Sequence, residues 1–311
     1  MTFAQATDPA TSVFLILNPT AGRRRRGLVD AVVRHVRSRG WTVDVVETTA
    51  SGDARRYAEE CDAKRYGVIA VAGGDGTINE VVNGLAARAA SAPPLAIVPL
   101  GTANVLAHEL GLGSTASSLA QTMTAGREVL MHPGQASAAC RPRCFSLMAG
   151  AGFDAKVVAG VTAPLKRRWG KGAYVWRSLI ECQRYRPVRY AVEIDGVSHE
   201  AASVIVTHAR HYAGPYVVAP EASLDAPLLH VCLFERWGWM HALRFGAALL
   251  RGALPHTPGY RVVAGREIGI SVLKDAGESR SQPVQIDGDN AMTLPVSIGL
   301  STEAVRLLRP Q

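Results

Sequence analysis

The sequence predicts two domains, an N-terminal α/β domain with a mostly parallel sheet and a C-terminal strand-rich domain. Its 311 residues exceed the usual size of one hydrophobic core. Through roughly residue 130, short β-branched runs alternate with helical periodicity, which is typical of parallel strands joined by crossover helices. From about Gln135 onward, short strands dominate. The predicted domains are residues 1–133 and 134–311, and a return of the last residues to the first domain is left open.

Four apolar runs in the first domain have the length and β-branching of buried strands, and each is followed by a loop and a helical pattern. The predicted strands are Val13–Leu17, Thr42–Val46, Val68–Ala72 and Leu95–Leu100. The first predicted helix repeats valine from Val29 to Val36, and the second covers Asp53–Lys64. The third carries Ile78, Val81, Val82 and Leu85 on one face, and a fourth follows the last strand. Thr77 and Glu80 fit a capping box for the third of these helices.

The second domain is predicted to contain a few helices among many strands. The helices are expected near Phe153–Val161, Lys171–Arg184 and Met240–Arg251. The strands are expected at Tyr190–Ile194, Ser203–Thr207, Tyr216–Val218, Leu228–Leu233, Ile268–Leu273, Val284–Ile286 and Val296–Ile298. Asp195-Gly196 between two such runs predicts a hairpin with a type I′ turn.

The formal net charge of +8 favours anionic partners, namely phosphates, membrane surfaces or nucleic acid. Nucleic acid is not expected, because no recognised binding motif accompanies the arginines. The longest uncharged stretch, Ala89–Ala107, is interrupted by prolines and cannot form a clean spanning helix, and the N-terminus lacks a secretory pattern. Five cysteines without a Cys-x-x-Cys pair favour a reducing compartment. We expect a soluble or peripheral protein.

Three loops follow predicted strands and are rich in glycine, threonine and asparagine. They are Asn18-Pro19-Thr20-Ala21-Gly22, Gly73-Gly74-Asp75-Gly76-Thr77 and Pro99-Leu100-Gly101-Thr102-Ala103-Asn104. Glycines let a backbone approach a phosphate closely, and the start of a helix presents free N–H groups to it. Each loop alone is equally typical of a tight strand-to-helix turn. Three loops at the ligand-binding edge of one parallel sheet favour a phosphate site.

The stretch from Gly73 to Leu85 resembles the signature of the diacylglycerol kinase catalytic-domain family, which includes bacterial lipid kinases and sphingosine and ceramide kinases. Other pieces agree in order along nearly the whole chain. They are the first and third loops, Gly150-Ala151-Gly152-Phe153-Asp154, Lys166-Arg167-Arg168 with Gly170 and Tyr174, Ala219-Pro220 with Leu224-Asp225, and Asp287-Gly288-Asp289. The resemblance implies an NAD-kinase-like or diacylglycerol-kinase-like α/β domain, a C-terminal β-sandwich, and ATP bound between them.

The resemblance also implies roles for individual residues. Nucleotide contacts are expected at Asn18, Thr48, Gly73, Gly74, Asp75, Gly76, Thr77, Ile78, Asn79, Glu80 and Thr102. Asp75 is expected beside the phosphates and Mg²⁺, while the metal ligands stay unassigned. Asp289 stands where the family commonly has a glutamate, the proposed general base for a lipid hydroxyl. Taken alone, Asp287-Gly288-Asp289 is more typical of an ordinary hairpin turn.

Some departures from the family pattern concern the acceptor lipid. Val105 stands where many bacterial members have an aspartate, and sphingolipid kinases also lack that aspartate. His230 replaces the last aspartate of the Leu-Asp-Asp-Gly-Leu-Leu-Asp pattern. Ceramide or a sphingoid base is therefore a candidate acceptor beside diacylglycerol. Asp154 resembles a residue that contacts the lipid headgroup in sphingosine kinases, and a helix cap is its alternative role.

Basic clusters suggest where anions approach. One or two of the arginines from Arg23 to Arg26 are candidates for ATP phosphates, whereas the rest fit a solvated run. The segment Lys166–Lys171, which includes Trp169, suits an anionic membrane. A second patch, with Trp237, Trp239, Leu243, Phe245, Leu249 and Leu250, is expected to pack in the core.

The resulting hypothesis is an ATP- and Mg²⁺-dependent lipid kinase in the cytoplasm, peripheral on the inner face of the membrane. The alternatives are a soluble-substrate kinase of the NAD kinase type and a catalytically inactive lipid-binding regulator, the latter because expected aspartates are missing. The oligomeric state stays open.

Overall fold

The computed structural model describes residues 9–21, 25–88, 92–138, 142–160, 188–236, 238–273 and 282–311. The chain forms two compact units. The first consists of Met1–Pro133 together with Thr302–Gln311, and the second is Gly134–Ser301. The chain therefore passes from the first unit to the second and returns for its last strand.

The first unit alternates strands and helices along the chain. Its strands are β1 (Ser12–Leu17), β2 (Thr42–Glu47), β3 (Val68–Gly73), β4 (Leu95–Pro99), β5 (Arg127–Met131) and, at the end of the chain, β20 (Val305–Arg309). Its helices are α1 (Arg26–Arg37), α2 (Asp53–Glu60), α3 (Asp75–Ala86), α4 (Val105–Glu109) and α5 (Ala116–Ala125). A 3-10 turn at Pro9–Thr11 precedes β1.

One six-stranded sheet, in the order β2-β1-β3-β4-β20-β5, forms the centre of this unit. The pairs from β2 to β20 are parallel, and β5 is antiparallel to β20. Every residue of β3 is buried, because a strand covered on both faces needs an unbroken apolar run. Helix α1 buries Val29, Val32 and Val36 at helical spacing. The predicted α/β class with a mostly parallel sheet is confirmed.

Two details of the first unit differ from the prediction. Helix α2 ends at Glu60 rather than Lys64, because Cys61 is extended and the Asp62 carbonyl then accepts the N–H groups of Arg65 and Tyr66 in a turn. Strands β5 and β20 were not predicted. In β5 only Met131 is buried, so the strand lacks the apolar alternation on which the prediction depends.

The second unit is built mainly of strands. They are β6 (Gly134–Ser137), β7 (Arg143–Phe145), β8 (Met148–Ala151), β9 (Tyr190–Ile194), β10 (Val197–Ala201), β11 (Ser203–Thr207), β12 (His211–Tyr212), β13 (Tyr216–Val217), β14 (Leu229–Phe234), β15 (Tyr260–Gly265), β16 (Ile268–Val272), β17 (Pro283–Ile286), β18 (Asp289–Thr293) and β19 (Val296–Leu300). Its described helices are α6 (Phe153–Gly160) and α7 (Trp239–Leu250), with a 3-10 turn at Leu254–His256. The predicted helix Lys171–Arg184 lies outside the described residues.

Two six-stranded sheets, β10-β9-β16-β19-β6-β7 and β15-β14-β11-β8-β17-β18, form the body of the second unit. Their strand pairs are antiparallel. Both sheets contribute to one buried cluster, with Phe145 and Tyr190 from the first and Val206 and Val231 from the second. Two sheets packed over a shared apolar core form a β-sandwich-like domain, which confirms the predicted class.

Two hairpins of this unit close with two-residue turns in the left-handed region. Asp195 (φ 48°) and Gly196 (φ 82°) join β9 to β10, and Asp287 (φ 47°) and Gly288 (φ 83°) join β17 to β18. Positive φ at both central residues is type I′ geometry, which Asp-Gly favours. The type I′ prediction at Asp195-Gly196 is confirmed, and Asp287-Gly288 is a hairpin turn of the same kind.

Helix α7 differs from its prediction as a core helix. Only Phe245 and Ala248 are buried, and the Phe245 ring packs edge-on against Phe234 with centroids 5.3 Å apart. Trp239, Leu243 and Leu250 are exposed, because the helix covers the sheet with one side only. Trp237 lies outside the described residues. No helix in the described part of the chain is long and apolar enough to cross a membrane.

Candidate functional site

The three predicted loops lie together at the edge of the first unit's sheet where the parallel strands end. The Asn18 N–H after β1 donates to the Ala72 carbonyl of β3 (2.9 Å), and the Leu100 N–H after β4 donates to the Gly73 carbonyl (2.9 Å). These bonds tie each loop to the neighbouring strand. In open parallel sheets, ligands bind at this edge.

The side-chain amide of Asn18 shapes the first loop with its oxygen and connects that loop to the second with its nitrogen. Its Oδ1 accepts the N–H (3.0 Å) and hydroxyl (2.8 Å) of Thr20 and the N–H of Ala21 (3.2 Å). Its Nδ2 donates to the Thr77 hydroxyl at 2.8 Å. Much of the hydrogen-bonding capacity of Asn18 is therefore used within the protein, where it sets the shape of the loops.

Glycines bring the second and third loops into backbone contact. A Cβ on Gly101 would lie 2.7 Å from the Gly74 Cα and 2.7 Å from the Asn104 Oδ1, and a Cβ on Gly74 would lie 3.3 Å from the Gly101 Cα. Only residues without a side chain permit this approach. Gly74 also caps α3, so the first N–H groups of the helix open beside the contact.

Asp75 is the first residue of α3. Burial raises the pKa of its carboxyl, and hydrogen bonds from the N–H groups of Val105, Leu106 and Asn104 oppose that shift. Its Oδ1 is buried and has no hydrogen-bond partner among the described residues, and the same holds for the Oδ1 of Asn104. Unmatched carboxylate and amide oxygens are ligands of the type that Mg²⁺ prefers. Asn104 was not predicted as a site residue, although it ends the third loop.

The other predicted nucleotide contacts differ in their surroundings. Gly73, Ile78 and Asn79 are buried, and the Ile78 N–H donates to the Gly74 carbonyl within α3. Gly76 and Thr102 are exposed. Thr48 is half-buried, and its N–H donates to the Leu17 carbonyl at 2.9 Å. The exposed and half-buried members at this edge can meet a ligand, whereas the side chains of Ile78 and Asn79 belong to the interior.

The predicted capping box of Thr77 and Glu80 is wrong. Helix α3 begins at Asp75 with Gly74 as its cap and has no side-chain cap bond. Thr77 instead accepts from Asn18, and the Glu80 carboxylate accepts the Ser51 hydroxyl at 3.1 Å. The glycine-rich loop starts the helix earlier than the capping pattern implies. The N–H groups at its start are thus not occupied by a capping side chain.

The basic run after β1 is described in part. The Arg25 Nη1 donates to the Pro99 carbonyl at 3.2 Å, which places this guanidinium at the third loop. Arg26 forms an exposed salt bridge with Glu47 at 3.0 Å. Gly22, Arg23 and Arg24 lie outside the described residues, as does the basic segment Lys166–Lys171.

In the second unit, Asp154 lies in a polar cluster that includes side chains from two strands. Its carboxylate accepts hydrogen bonds from the Tyr212 hydroxyl and from the Gln285 Nε2 (2.8 Å). Burial raises the pKa of Asp154, and the two hydrogen bonds oppose this. Asp154 is the second residue of α6, and these contacts are with side chains rather than with the helix backbone. Tyr212 and Gln285 were not predicted, because sheet pairing rather than any local motif brings them here.

Asp287 and Asp289 have different surroundings although they flank one glycine. The Asp287 carboxylate accepts the Ser146 N–H (2.6 Å) and hydroxyl (2.8 Å) and the N–H groups of Leu147 (3.0 Å) and Met148 (2.9 Å). Burial raises the pKa of Asp287 to about 6, against these hydrogen bonds. Asp289 begins β18 and is exposed. Asp287 therefore anchors the hairpin that carries Asp289.

His208, just after β11, is completely buried. Neither ring nitrogen has a hydrogen-bond partner among the described residues, and the ring lies edge-on to Phe145 with centroids 6.3 Å apart. Burial lowers the pKa of His208 to about 4, and His230 adds to the shift. The folded protein thus holds a neutral imidazole that the unfolded chain would protonate below pH 6.5.

We expect His208→Leu to reduce the loss of stability at acidic pH. A pKa of about 4 in the folded state against 6.5 in the unfolded chain means that His208 costs nothing above pH 6.5 and destabilises as pH falls toward 4, by about 2 kcal/mol at pH 5. Urea unfolding at pH 7 and pH 5 measures the change. His199→Leu, from the same unit, is the control. Equal pH dependence of wild type and His208→Leu would contradict the prediction.

Comparison with known families agrees with this architecture. The model of the diacylglycerol kinase catalytic domain matches residues 12–136. The model described as the YegS C-terminal NAD kinase beta sandwich-like domain matches residues 148–309. The two matches follow each other in the order of the two units.

Individual relatives extend the same result. The chain is 28% identical to a diacylglycerol kinase of Bacillus subtilis (strain 168) over 286 residues, 90% of each chain. It is 29% identical to the lipid kinase YegS of Escherichia coli (strain K12) over 204 residues, 64% of this chain and 67% of that one. A crystal structure of a diacylglycerol kinase from Bacillus anthracis str. Sterne has the same fold, with a TM-score of 0.74 at 22% identity over 96% of this chain and 97% of that chain. With both domains matched in order, the chain belongs to the diacylglycerol kinase family of lipid kinases.

Proposed function

We propose that this kinase transfers the γ-phosphoryl group of ATP, with Mg²⁺, to a hydroxyl of a membrane lipid. The observation that carries the proposal is the loop arrangement of the first unit. There, the Gly74–Gly101 contact lies beside the start of α3, and the buried Asp75 Oδ1 has no partner among the described residues. A phosphate and a cation supply what this arrangement lacks.

The start of α3 is proposed to bind the phosphates. The first N–H groups of a helix have no partner within it, and the helix dipole favours negative charge there. In α3 the Ile78 N–H already donates to the Gly74 carbonyl and the Asp75 N–H bonds to its own carboxyl, so the N–H groups of Gly76 and Thr77 are the available ones. Arg25, held at the Pro99 carbonyl, adds a positive charge at the same edge.

The oxygens of Asp75 and Asn104 are proposed to hold Mg²⁺. In the described part of the chain, no three side chains of His, Cys, Asp or Glu form a metal cluster. Mg²⁺ typically uses one or two carboxylates and takes its other ligands from phosphates and water, so a single carboxylate such as Asp75 fits it. When bound, the ion neutralises charge that develops on the phosphates during transfer.

Asp289 is proposed as the general base. A lipid alcohol is a poor nucleophile at neutral pH, and a carboxylate that receives its proton makes it reactive. Asp289 is exposed at the first residue of β18, directly after the turn that Asp287 anchors. Aspartate is one methylene shorter than glutamate, so its backbone position must be well defined, and the Asp287 contacts supply this.

The acceptor is proposed to be a diacylglycerol or a ceramide-type lipid, reached from the cytoplasmic face of the membrane. The name of the Bacillus subtilis relative, a diacylglycerol kinase, supports diacylglycerol. Val105, buried at the start of α4, and His230, buried in β14, stand where related sequences have aspartates and support a ceramide or sphingoid acceptor. Asp154, with its Tyr212 and Gln285 partners, is proposed to contact the lipid headgroup.

The experiment is ATP-dependent labelling of vesicles that contain diacylglycerol, ceramide or a sphingoid base, with and without Mg²⁺. Labelled product in one arm supports the proposal and identifies the acceptor. Labelling that does not need Mg²⁺ would contradict the metal assignment. If nucleotide binds but no lipid is labelled in any arm, the chain is better described as a lipid-binding regulator.

We expect Gly101→Ala to weaken nucleotide binding by about tenfold or more, equivalent to roughly 1.4 kcal/mol. The new Cβ would lie 2.7 Å from the Gly74 Cα, and the backbone must move apart because no flexible side chain can give way. Titration of an ATP analogue by calorimetry measures the effect. Gly27→Ala in α1 is the control, since its Cβ would meet nothing within 4 Å. Unchanged affinity in Gly101→Ala would argue against a phosphate site at this contact.

A further inference from the structure

Helix α7 presents an apolar stripe that is not covered by the described protein. Trp239, Leu243 and Leu250 are 61%, 50% and 66% exposed, and spacings of four and seven residues place them on one side of the helix. Met240, 64% exposed, lies next to this stripe. The opposite side, with Phe245 and Ala248, packs on the second unit. The helix is thus apolar on both sides, and among the described residues of its unit only one side has a partner.

The sequence around this helix is basic. From Arg236 to Arg266 there is no aspartate or glutamate, and the five arginines there give +5 of the net +8. They are Arg236, Arg244, Arg251, Arg261 and Arg266. Arg261 pairs with Glu235, the acidic residue just before this stretch, at 3.2 Å. An exposed apolar stripe in a region without acidic residues is typical of helices that lie on anionic membranes.

A groove beside the stripe has cationic walls. It has a volume of about 310 Å³ and lies between α7 and the following turn, where Arg244, Arg251, His256 and Thr257 line it. The Arg244 Nη2 donates to the Pro258 carbonyl at 3.1 Å, which fixes the guanidinium at the groove. Guanidinium groups bind phosphate oxygens with directional hydrogen bonds. The groove therefore suits the phosphate of a lipid headgroup.

We infer that α7 is a membrane-docking element, with Trp239, Leu243 and Leu250 inserted among the lipids and Arg244 and Arg251 bound to anionic headgroups. This inference rests on the proposed function, because a lipid kinase must reach its acceptor at a bilayer. The positive charge favours an anionic bilayer over a second copy of the chain, because a second copy would place the same arginines opposite one another, where like charges repel. A tryptophan such as Trp239 at the end of an apolar stripe is typical of the membrane–water interface.

The test is co-sedimentation of the full chain with vesicles of phosphatidylcholine, alone or mixed with phosphatidylglycerol. Leu243→Gln with Leu250→Gln is expected to weaken binding to mixed vesicles at least about tenfold. Arg244→Gln with Arg251→Gln is expected to weaken it about thirtyfold, from the usual contribution of a basic residue near an anionic surface, and to reduce its salt dependence. The first control is Leu130→Gln, which removes a leucine of similar exposure (56%) from the first unit. The second is Arg34→Gln with Arg127→Gln, which removes the same charge from exposed positions elsewhere.

Separate outcomes test the docking inference and the proposed function. If both α7 variants bind mixed vesicles as wild type does, the docking inference fails, and lipid phosphorylation by wild type would leave the proposed function standing. If wild type binds through α7 but labels no lipid, the proposed function fails and docking stands. A wild-type dimer that the α7 variants dissociate would overturn docking in favour of self-association. Thermal unfolding of each variant establishes that it is folded before its binding is compared.

Discussion

Replacing Asp289 with asparagine is expected to lower the turnover number by roughly 10²- to 10⁴-fold, the range typical for loss of a general base. Asparagine has nearly the same size and preserves the first residue of β18, but its amide does not take a proton from an alcohol at neutral pH. The initial rate of phosphorylation of the preferred lipid measures the change. The KM for ATP is expected to stay the same, because the proposed nucleotide contacts belong to other residues.

Two further variants separate the base from a general effect of charge. Asp289→Glu restores the family's usual carboxylate with a longer reach and is expected to keep much of the turnover. Asp30→Asn removes an exposed carboxylate from α1 and is expected to leave the rate unchanged. Full turnover by Asp289→Asn would remove Asp289 from the mechanism while leaving the kinase activity of the family in place.

The sequence predicts the first unit well because its signals are local. An apolar run such as Val68–Ala72, followed by glycines and then by helical periodicity, contains the strand, the turn and the helix within a few residues of one another. The edge at which the loops meet follows from parallel strand order alone. The positions of Gly74 and Asp75 at one edge with Gly101 could therefore be predicted from the sequence.

Other features depend on contacts between distant segments and could not be predicted. Strand β20 lies between β4 and β5, and its short apolar pattern, with Val305, Leu307 and Leu308 buried, does not indicate with which strands it pairs. Asp154 meets Tyr212 and Gln285 only because of the folding of the second unit. Periodicity in α7 identifies an apolar helix, but it does not say how much of that helix the neighbouring sheet covers.

Asp287→Asn is expected to destabilise the second unit by about 3 kcal/mol, because hydrogen bonds to a charged acceptor are worth about 1.5–3 kcal/mol and buried donors left without an acceptor cost a further 1–3. The Asp287 carboxylate has a pKa of about 6, so at pH 7.5 it is ionised and both oxygens accept. In asparagine one oxygen becomes an NH₂ group. That group would face the N–H and hydroxyl of Ser146 or the N–H groups of Leu147 and Met148.

The choice of asparagine isolates these hydrogen bonds from the turn itself. Asp287 has a φ of 47°, a conformation that asparagine adopts readily and alanine does not, so alanine would add backbone strain. A loss of about 3 kcal/mol corresponds to a decrease of roughly 6–12 °C in the unfolding temperature for a unit of this size. Differential scanning calorimetry measures it. The turnover of Asp287→Asn is expected to fall as well, because the turn positions Asp289.

The other type I′ hairpin supplies the matched control. Asp195 has a φ of 48°, and its Oδ1 accepts the N–H groups of both Arg266 (3.0 Å) and Glu267 (2.8 Å), while its Oδ2 accepts the same Arg266 N–H at 3.2 Å. An asparagine at position 195 keeps this oxygen, so Asp195→Asn is expected to cost less than about 1 kcal/mol. The same substitution in the same turn type is thus expected to have a large effect only where each carboxylate oxygen accepts donors that the other oxygen does not. Equal destabilisation of the two variants would mean that the turn, and not the Ser146–Met148 contacts, determines the stability of the hairpin that carries Asp289.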